Sequence, residues 1–324
     1  MAARTVHRLE PEKYYYTYGQ TSPALRVLSG ERVVVKTVDC YGKDEKGRAL
    51  PASKRQSCPG TELYQGNPLI GPIYVEDARP GDTLAVRIDR IRLNRTTALS
   101  GHHPHFGMLT GETAGKALLF NAPLAERFFP WKLDLAKKTG TLRLTGSRTK
   151  SVTVKLDPFI GSIGVAPRWG RVELSMTPGE YGGNMDCVET RQGTTLYLPV
   201  WAKGAYLAFG DIHAAQGDGE LCGSALETTA EVTVHLSVRK GWSIEWPRLE
   251  DRTHLMVAAS TRPLFDAVAL AYTEMVRWMI DDFGFERNEA VQVLSQTGSM
   301  RVGNICDPAY TVVAKLPKKV LGIR

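Results

Sequence analysis

Residues 230–238 read AEVTVHLSV, and this stretch decides the class of fold. In an extended chain, successive side chains point to opposite faces. Val232, Val234, Leu236 and Val238 therefore share one face, and Glu231, Thr233, His235 and Ser237 share the other. That is the pattern of a half-buried strand. Working outward, similar stretches recur at 31–38 (ERVVVKTV), 71–76 (GPIYVE), 82–93 (DTLAVRIDRIRL), 139–144 (TGTLRL), 150–156 (KSVTVKL), 195–201 (TLYLPVW) and 205–213 (AYLAFGDIH). Turn-forming clusters separate them: ARPGD at 78–82, TPGEYGGN at 177–184 and AAQGDGE at 214–220. Many short strands between turns predict a mainly β chain folded as a jelly-roll-like β-sandwich.

The pattern changes after about residue 259. Leu264, Val268, Ala271, Met275 and Met279 recur at helical spacing. Ser260 or Thr261 is expected to cap the start, with Pro263 in the first turn and Gly284 as the stop. A second short helix is expected at about 286–295, and YTVVAKLP returns to strand. The chain thus divides into a β body, residues 1–258, carrying the site, and an α+β subdomain, residues 259–324. Trp278 and Met279 could extend an apolar patch beyond one subunit, so the first helix is a candidate dimerisation element in a homodimer or higher homo-oligomer.

Composition narrows the function classes. Lys and Arg total 41 against 34 Asp and Glu, a net charge of +7. The basic residues are scattered, the densest run being Lys315, Lys318, Lys319 and Arg324, with no interleaved aromatics. Scattered charge aids solubility, and no nucleic-acid partner is expected. No stretch approaches 18 apolar residues, so no membrane span is expected. The N-terminal MAARTVHRLEPEKYYY has no apolar core of a secretory signal. Five cysteines stand far apart at 40, 58, 187, 222 and 306, without a CxxC pair. Neither a disulfide framework nor a cysteine-type zinc site is expected, and a reducing cytoplasm fits best.

The chemistry concentrates between 177 and 223. On the strand at 205–213 one face carries Ala205, Leu207, Phe209, Asp211 and His213. An apolar row ending in a carboxylate and an imidazole needs something to satisfy both groups, such as a partner or a metal. Asp-x-His offers oxygen and nitrogen to one cation, ligands that zinc accepts. Gly217-Asp218-Gly219-Glu220 adds two carboxylates nearby, and Gly182-Gly183-Asn184-Met185-Asp186 brings another acid out of a glycine turn. Each piece also has an ordinary reading: a turn aspartate, a surface histidine, a hairpin Gly-Asp-Gly, an Asx turn. Their crowding into one stretch favours the site.

These stretches, with NPLIGPIYVEDARPGDTLAVRI (67–88), FIGSIGVAP (159–167), TPGEYGGNMD (177–186) and TLYLPVWAKGAYLAFGDIHAAQGDGELCG (195–223), resemble the acetamidase/formamidase family. More loosely, so do the C-terminal helices and the Asp-Pro after residue 306. The resemblance implies a jelly-roll-like sandwich with an α+β subdomain that helps form a dimer. It also implies hydrolysis of a short amide to carboxylate and ammonia, and an associated zinc or calcium ion. Asn184 and Asp186 fall in the family's glycine-rich acid motif, Asp211 and His213 on its Asp-x-His, and Asp218 and Glu220 in its acidic glycine loop. The chain departs from the family's frequent Pro-Gly-Phe-Gly with HHPHFG at 102–107, and from a frequent acid near Ser299 with GSMR. Either change could alter the substrate.

The expected site is therefore a divalent ion, zinc rather than calcium because one imidazole stands among the oxygens, held by Asp186, Asp211 and His213. Glu220 is expected to shuttle protons, or to be a fourth ligand with Asp218 as the base. Asn184 or a glycine-turn N–H is expected to bind the oxyanion. Two other readings stand beside this one. One is a β-sandwich that binds a metal or small ligand without turnover. The other is a covalent amidase whose thiol is Cys222 or Cys187, with Lys203 the nearest lysine in sequence. His102, His103 and His105 belong either to a solvated loop or to metal binding and substrate gating.

Overall fold

The computed structural model describes residues 5–104, 106–109 and 124–323. Its strands form two large sheets. One has nine strands in the order Val6–Leu9, Arg32–Lys36, Ala230–Arg239, Thr83–Leu93, Thr195–Pro199, Arg248–Glu250, His254–Thr261, Tyr310–Pro317 and Ser299–Val302. The other has twelve and centres on Leu207–His213, which pairs with Leu69–Val75, Glu227–Thr228 and Phe159–Gly164. Each of the eight strands expected from the sequence is present, and the alternation in Ala230–Arg239 appears as alternating buried and half-buried residues.

The two sheets enclose one core. Val33, Val86, Ile88, Leu196 and Val234 of the first pack with Ile70, Ile73, Ile163, Leu207 and Phe209 of the second. Burying such side chains contributes roughly 1.5–3 kcal/mol each against conformational entropy. Leu69–Val75, Phe159–Gly164 and Leu207–His213 are buried along their whole length. The site-bearing strand thus has no solvated face.

The C-terminal region is built into this sandwich. The expected boundary at 258/259 falls inside His254–Thr261, which pairs residue for residue with Tyr310–Pro317 in the nine-stranded sheet. Helix α1 (Leu264–Phe283) covers the outer face of that sheet, packing Ala267, Ala271, Met275, Trp278 and Met279 onto Tyr197, Val257, Val312 and Ala314. Trp278 and Met279 are therefore covered by their own chain, which removes the sequence motive for an exposed patch there. Neither Ser260 nor Thr261 caps α1. Both belong to the preceding strand, the Ser260 hydroxyl bonds Thr311, and Pro263 stands at the N-cap without a side-chain bond. Gly284 ends α1 in the left-handed conformation, as expected. Helix α2 (Arg287–Thr297) starts on Glu286, whose carboxylate accepts from the Asn288 and Glu289 amides.

Candidate active site

Leu207–His213 carries Asp211 and His213 to the end of the twelve-stranded sheet, and both side chains are almost completely buried. Gly182–Asn184 pairs with Phe159–Gly164 and delivers Asn184 and, two residues on, Asp186. The loop after His213 turns back through Glu220 and is pinned to the C-terminal region where Gly219 pairs with Asn304. Asp307 follows in that same region, and Glu227 comes from the neighbouring strand. Asp186, Asp211, Glu220, Glu227 and Asp307 thus form a buried ring of five carboxyl groups. His213 faces three of them, Asp186, Asp211 and Glu227, with its ring nitrogen.

The ring crowds against a bare backbone. A Cβ on Gly161 would lie 2.6 Å from Asp211 Oδ2, 2.7 Å from Asp186 Oδ1 and 2.9 Å from His213 Cε1. Asp186, Asp211 and Glu220 themselves have left-handed backbones, with φ of 44°, 58° and 46°. Such conformations cost of order 1–3 kcal/mol each and persist where the surroundings hold them, commonly at functional sites.

Hydrogen bonds fix the imidazole. Gln216 Nε2 donates to the backbone oxygens of Asp186 (2.8 Å) and Gly303 (2.9 Å), which leaves its Oε1 facing His213 Nδ1 at 2.8 Å. Nδ1 therefore carries the proton. Nε2 then points at Asp211 Oδ1 (3.2 Å), Glu227 Oε2 (3.4 Å) and Asp186 Oδ1 (3.9 Å). These three oxygens are also buried acceptors with no hydrogen-bond donor. Three orphaned carboxylate oxygens around a nitrogen lone pair repel one another unless a proton or a cation sits among them.

The remaining acceptors are held by neutral donors. Asn67 Nδ2 reaches Asp211 Oδ2 and Asn184 Oδ1, each at 2.8 Å, and Ser162 Oγ at 3.0 Å. Asn184 Nδ2 donates to Asp186 Oδ2 (2.7 Å) and Asp307 Oδ2 (2.6 Å). Both amide hydrogens of Asn184 are committed, so it positions two acids and has none left for an oxyanion.

The titration behaviour follows from this packing. Burial, then the Glu220 and Asp307 charges, push Asp186 well above the usual carboxylate range. Burial does the same to Glu227 and Asp307 and raises Glu220, against an opposing pull from His213 on both glutamates. Burial works to raise Asp211 too, but the adjacent imidazole outweighs it and holds that carboxyl below its usual value. Burial works to lower His213, and the Glu227 and Asp211 carboxylates overcome it, so without a cation the imidazole keeps its proton well above the usual pH.

Of the residues expected from the sequence, the structure brings together Asn184, Asp186, Asp211, His213 and Glu220. It does not bring Asp218, which is exposed and paired with Arg301. Glu227, Asp307, Asn67, Gln216 and Gly161 were not anticipated. The Asp-Pro of residues 307–308 was noticed only as a family likeness, and nothing local marks Glu227 or Asn67. His103 bonds Glu126 at 2.6 Å and His102 lies against Phe129, so neither joins the ring, and His105 lies outside the described residues. Cys187 is fully buried, Cys222 half-buried, and Lys203 exposed.

The ring opens onto a cavity of about 390 Å³ lined by Cys40, Tyr41, Asn67, Phe106 and Met176 besides the acids. A larger groove of about 670 Å³ between α1 and α2 has no acid or imidazole in its lining, hence no candidate chemistry.

The sequence profile described as the Acetamidase/Formamidase family matches residues 18–173 and 170–322. The chain belongs to this family. Among solved structures, the acetamidase of Yersinia enterocolitica superposes with a TM-score of 0.84 at 35% identity, over 98% of this chain and 93% of that one. Among acetamidase/formamidase relatives, a Schizosaccharomyces pombe protein named for formamidase is 25% identical over 257 residues, 65% of this chain and 60% of that one. The acetamidase of Mycolicibacterium smegmatis is 39% identical over 69 residues, 21% of this chain and 17% of that one. The chain thus spans well under two thirds of the length of these two relatives. The family's mostly β fold is the fold described above.

Proposed function

We propose that the buried ring hydrolyses a carboxamide to carboxylate and ammonia with the help of a divalent ion. The observation that carries this reading is the convergence of Asp186 Oδ1, Asp211 Oδ1 and Glu227 Oε2, all without donors, on His213 Nε2. This donor set fits a cation. The ligand atoms of Asp186, Asp211 and His213 lie within 4.8 Å of one another, as do those of His213, Glu220 and Glu227. One imidazole among carboxylates suits zinc better than calcium, which prefers oxygen alone. When bound, such an ion lowers the pKa of a water toward roughly 7 and polarises a carbonyl.

The chain's own residues supply the rest. Gln216 holds the His213 tautomer that leaves Nε2 free to ligate, the orienting role that outer partners play around metals. Asn67 and Asn184 fix the Asp211, Asp186 and Asp307 carboxyls. Amide nitrogen leaves poorly unless protonated, so one acid must take a proton from water and pass it on. Glu220 is suited to this, because it is buried, is raised by that burial, and shares hydrogen bonds with Asp186 and, weakly, with the Cys306 thiol at 3.6 Å. Asp218, held in an exposed ion pair, is not suited to act as the base.

The covalent thiol reading has less support. All five cysteines are pushed above the ordinary thiol value, with burial the largest cause each time. A reactive cysteine needs the opposite shift. The five remain unpaired, which suits a reducing, cytoplasmic setting. No helix among the described residues is long and apolar enough to cross a membrane. Self-association now rests on family likeness and on exposed Phe265 and Val291 of the two helices.

The test is a pair of variants assayed for ammonia release and bound metal. Glu220→Gln is expected to keep the ion and lose about 10²–10⁴-fold in rate. His213→Ala is expected to lose both. Full metal and full rate in His213→Ala would sink the reading, and metal binding without turnover of any amide by the wild type would favour the non-catalytic sandwich.

A further inference from the structure

We infer that the preferred substrate is a neutral primary carboxamide with a bulky apolar acyl group, such as an arylacetamide, rather than formamide or acetamide. This builds on the hydrolytic reading for turnover but makes its own claim about binding.

Size is the first observation. At water's share of ~30 Å³ per heavy atom, acetamide with four heavy atoms needs ~120 Å³ and phenylacetamide with ten needs ~300 Å³. The cavity offers about 390 Å³. Acetamide alone would leave most of that volume to water. Such water hydrates the acids and weakens their hold on the substrate, while a ring would displace it.

The lining is the second. Polar groups from the ring and its supports, among them Asn67, Asp211, His213 and Glu220, line the cavity together with Gln65, His103 and Ser224. Tyr41, Phe106, Leu174 and Met176 add apolar surface to the same lining. The ring of Phe106 rests on the bare backbone of Gly223. A Cβ there would come 2.3 Å from Phe106 Cε1, and the φ of +75° favours glycine as well. Tyr41 is braced edge-on by Phe128 at 5.6 Å between centroids. Apolar and aromatic surface with a few convergent polar groups is the make-up of small-molecule sites, where the apolar part of a ligand adds contact and the polar groups fix its orientation.

Orientation follows from the chemistry. The amide nitrogen must reach Glu220, whose carboxylate is surrounded by Asp186, Asp211, His213 and Cys306. An apolar group on nitrogen would press on these acids, whereas one on the acyl carbon can face Tyr41 and Phe106. The ring of acids also disfavours an anionic substrate.

Phenylacetamide and acetanilide test this, because they are isomers of equal size with the phenyl ring on opposite sides of the amide. The wild-type protein, loaded with zinc, is assayed for amide cleavage and, by calorimetry, for binding of each amide to the Glu220→Gln variant. We expect phenylacetamide to exceed acetamide by at least about tenfold in kcat/KM and in affinity, with acetanilide no better than acetamide. In Phe106→Ala the phenylacetamide-to-acetamide ratio should fall at least about fivefold. Tighter binding of phenylacetamide without turnover would uphold the inferred ligand while ending the hydrolytic reading. Equal or greater preference for acetamide, or for acetanilide, overturns the inference, as does an unchanged ratio in Phe106→Ala.

Discussion

Replacing Gly161 by alanine adds one carbon at the centre of the site without removing any candidate ligand. The added carbon would lie 2.6 and 2.7 Å from carboxylate oxygens of Asp211 and Asp186. Relaxed carbon–oxygen contacts need well over 3 Å, so these side chains must give by several tenths of an ångström. They have little freedom to do so: Asp211 is tied to Asn67 and Asp186 to Asn184, and both have left-handed backbones. Gly161 itself has no left-handed φ, so alanine suits its backbone. The stability cost should be that of one overpacked methyl, about 1–3 kcal/mol. The functional cost should be larger, because misplacing a reacting group by about 1 Å can cost 10²-fold. We therefore expect a folded Gly161→Ala protein by circular dichroism, a modestly lower urea midpoint, bound zinc well below the wild-type level, and ammonia release down by at least about 10²-fold. Wild-type metal content with a rate within twofold would refute the idea that these acids act together as one preorganised site.

Gln216→Ala should free the His213 tautomer and weaken zinc affinity by about 10–100-fold, measured by competition with a chelator. Asp218→Ala removes only an exposed pair with Arg301 and should leave kcat/KM within about twofold; a loss beyond 10²-fold would restore it to the reaction. The ion-free protein should lose stability as pH rises. Asp186, Glu220, Glu227 and Asp307 are raised above carboxyl values of 3.8 and 4.5, and His213 above 6.5, so the folded state binds more protons than the unfolded across that range. Within the ring only the lowered Asp211 runs the other way, and outside it His254, lowered chiefly by burial, opposes the fall between pH 5 and 8. Urea midpoints of chelated protein should fall between pH 5 and 8, and zinc should remove most of the fall; a chelated midpoint that rises across this window would contradict the packing described.

The strands were legible because alternation is local: each of the eight expected segments forms a strand, and the Asp-x-His at 211–213 falls in the buried ring of acids. What the sequence hid is what depends on distant parts of the chain. Glu227 and Asp307 look ordinary in their own neighbourhoods and become site residues only through sheet pairing and the bridge between Gly219 and Asn304. Asp218 looked equivalent to Glu220 because two acids in one glycine loop cannot be told apart by type. Arg301, more than eighty residues away, draws one outward while a left-handed turn sends the other in. Helical periodicity gives Trp278 and Met279 an apolar face without naming what covers it, so the sequence left a subunit contact and a cover for the sandwich both open, and the structure shows the second.

The contribution of the C-terminal region has a consequence for synthesis. Asn184, at the end of the strand Gly182–Asn184, holds Asp307 by one amide hydrogen and Asp186 by the other, and Gln216 reaches the backbone of Gly303. A chain emerging from the ribosome presents Asp211 and His213 about ninety residues before Asp307. Until those last residues pair with the sheet, the half-built acid cluster is open to water, with Asp307 absent and Gln216 lacking its bond to Gly303. Such long-range closure is slow relative to local structure. On the proposed reading of a divalent ion, the nascent sandwich should bind it poorly until the final strands have docked, and metal uptake would then report completed folding.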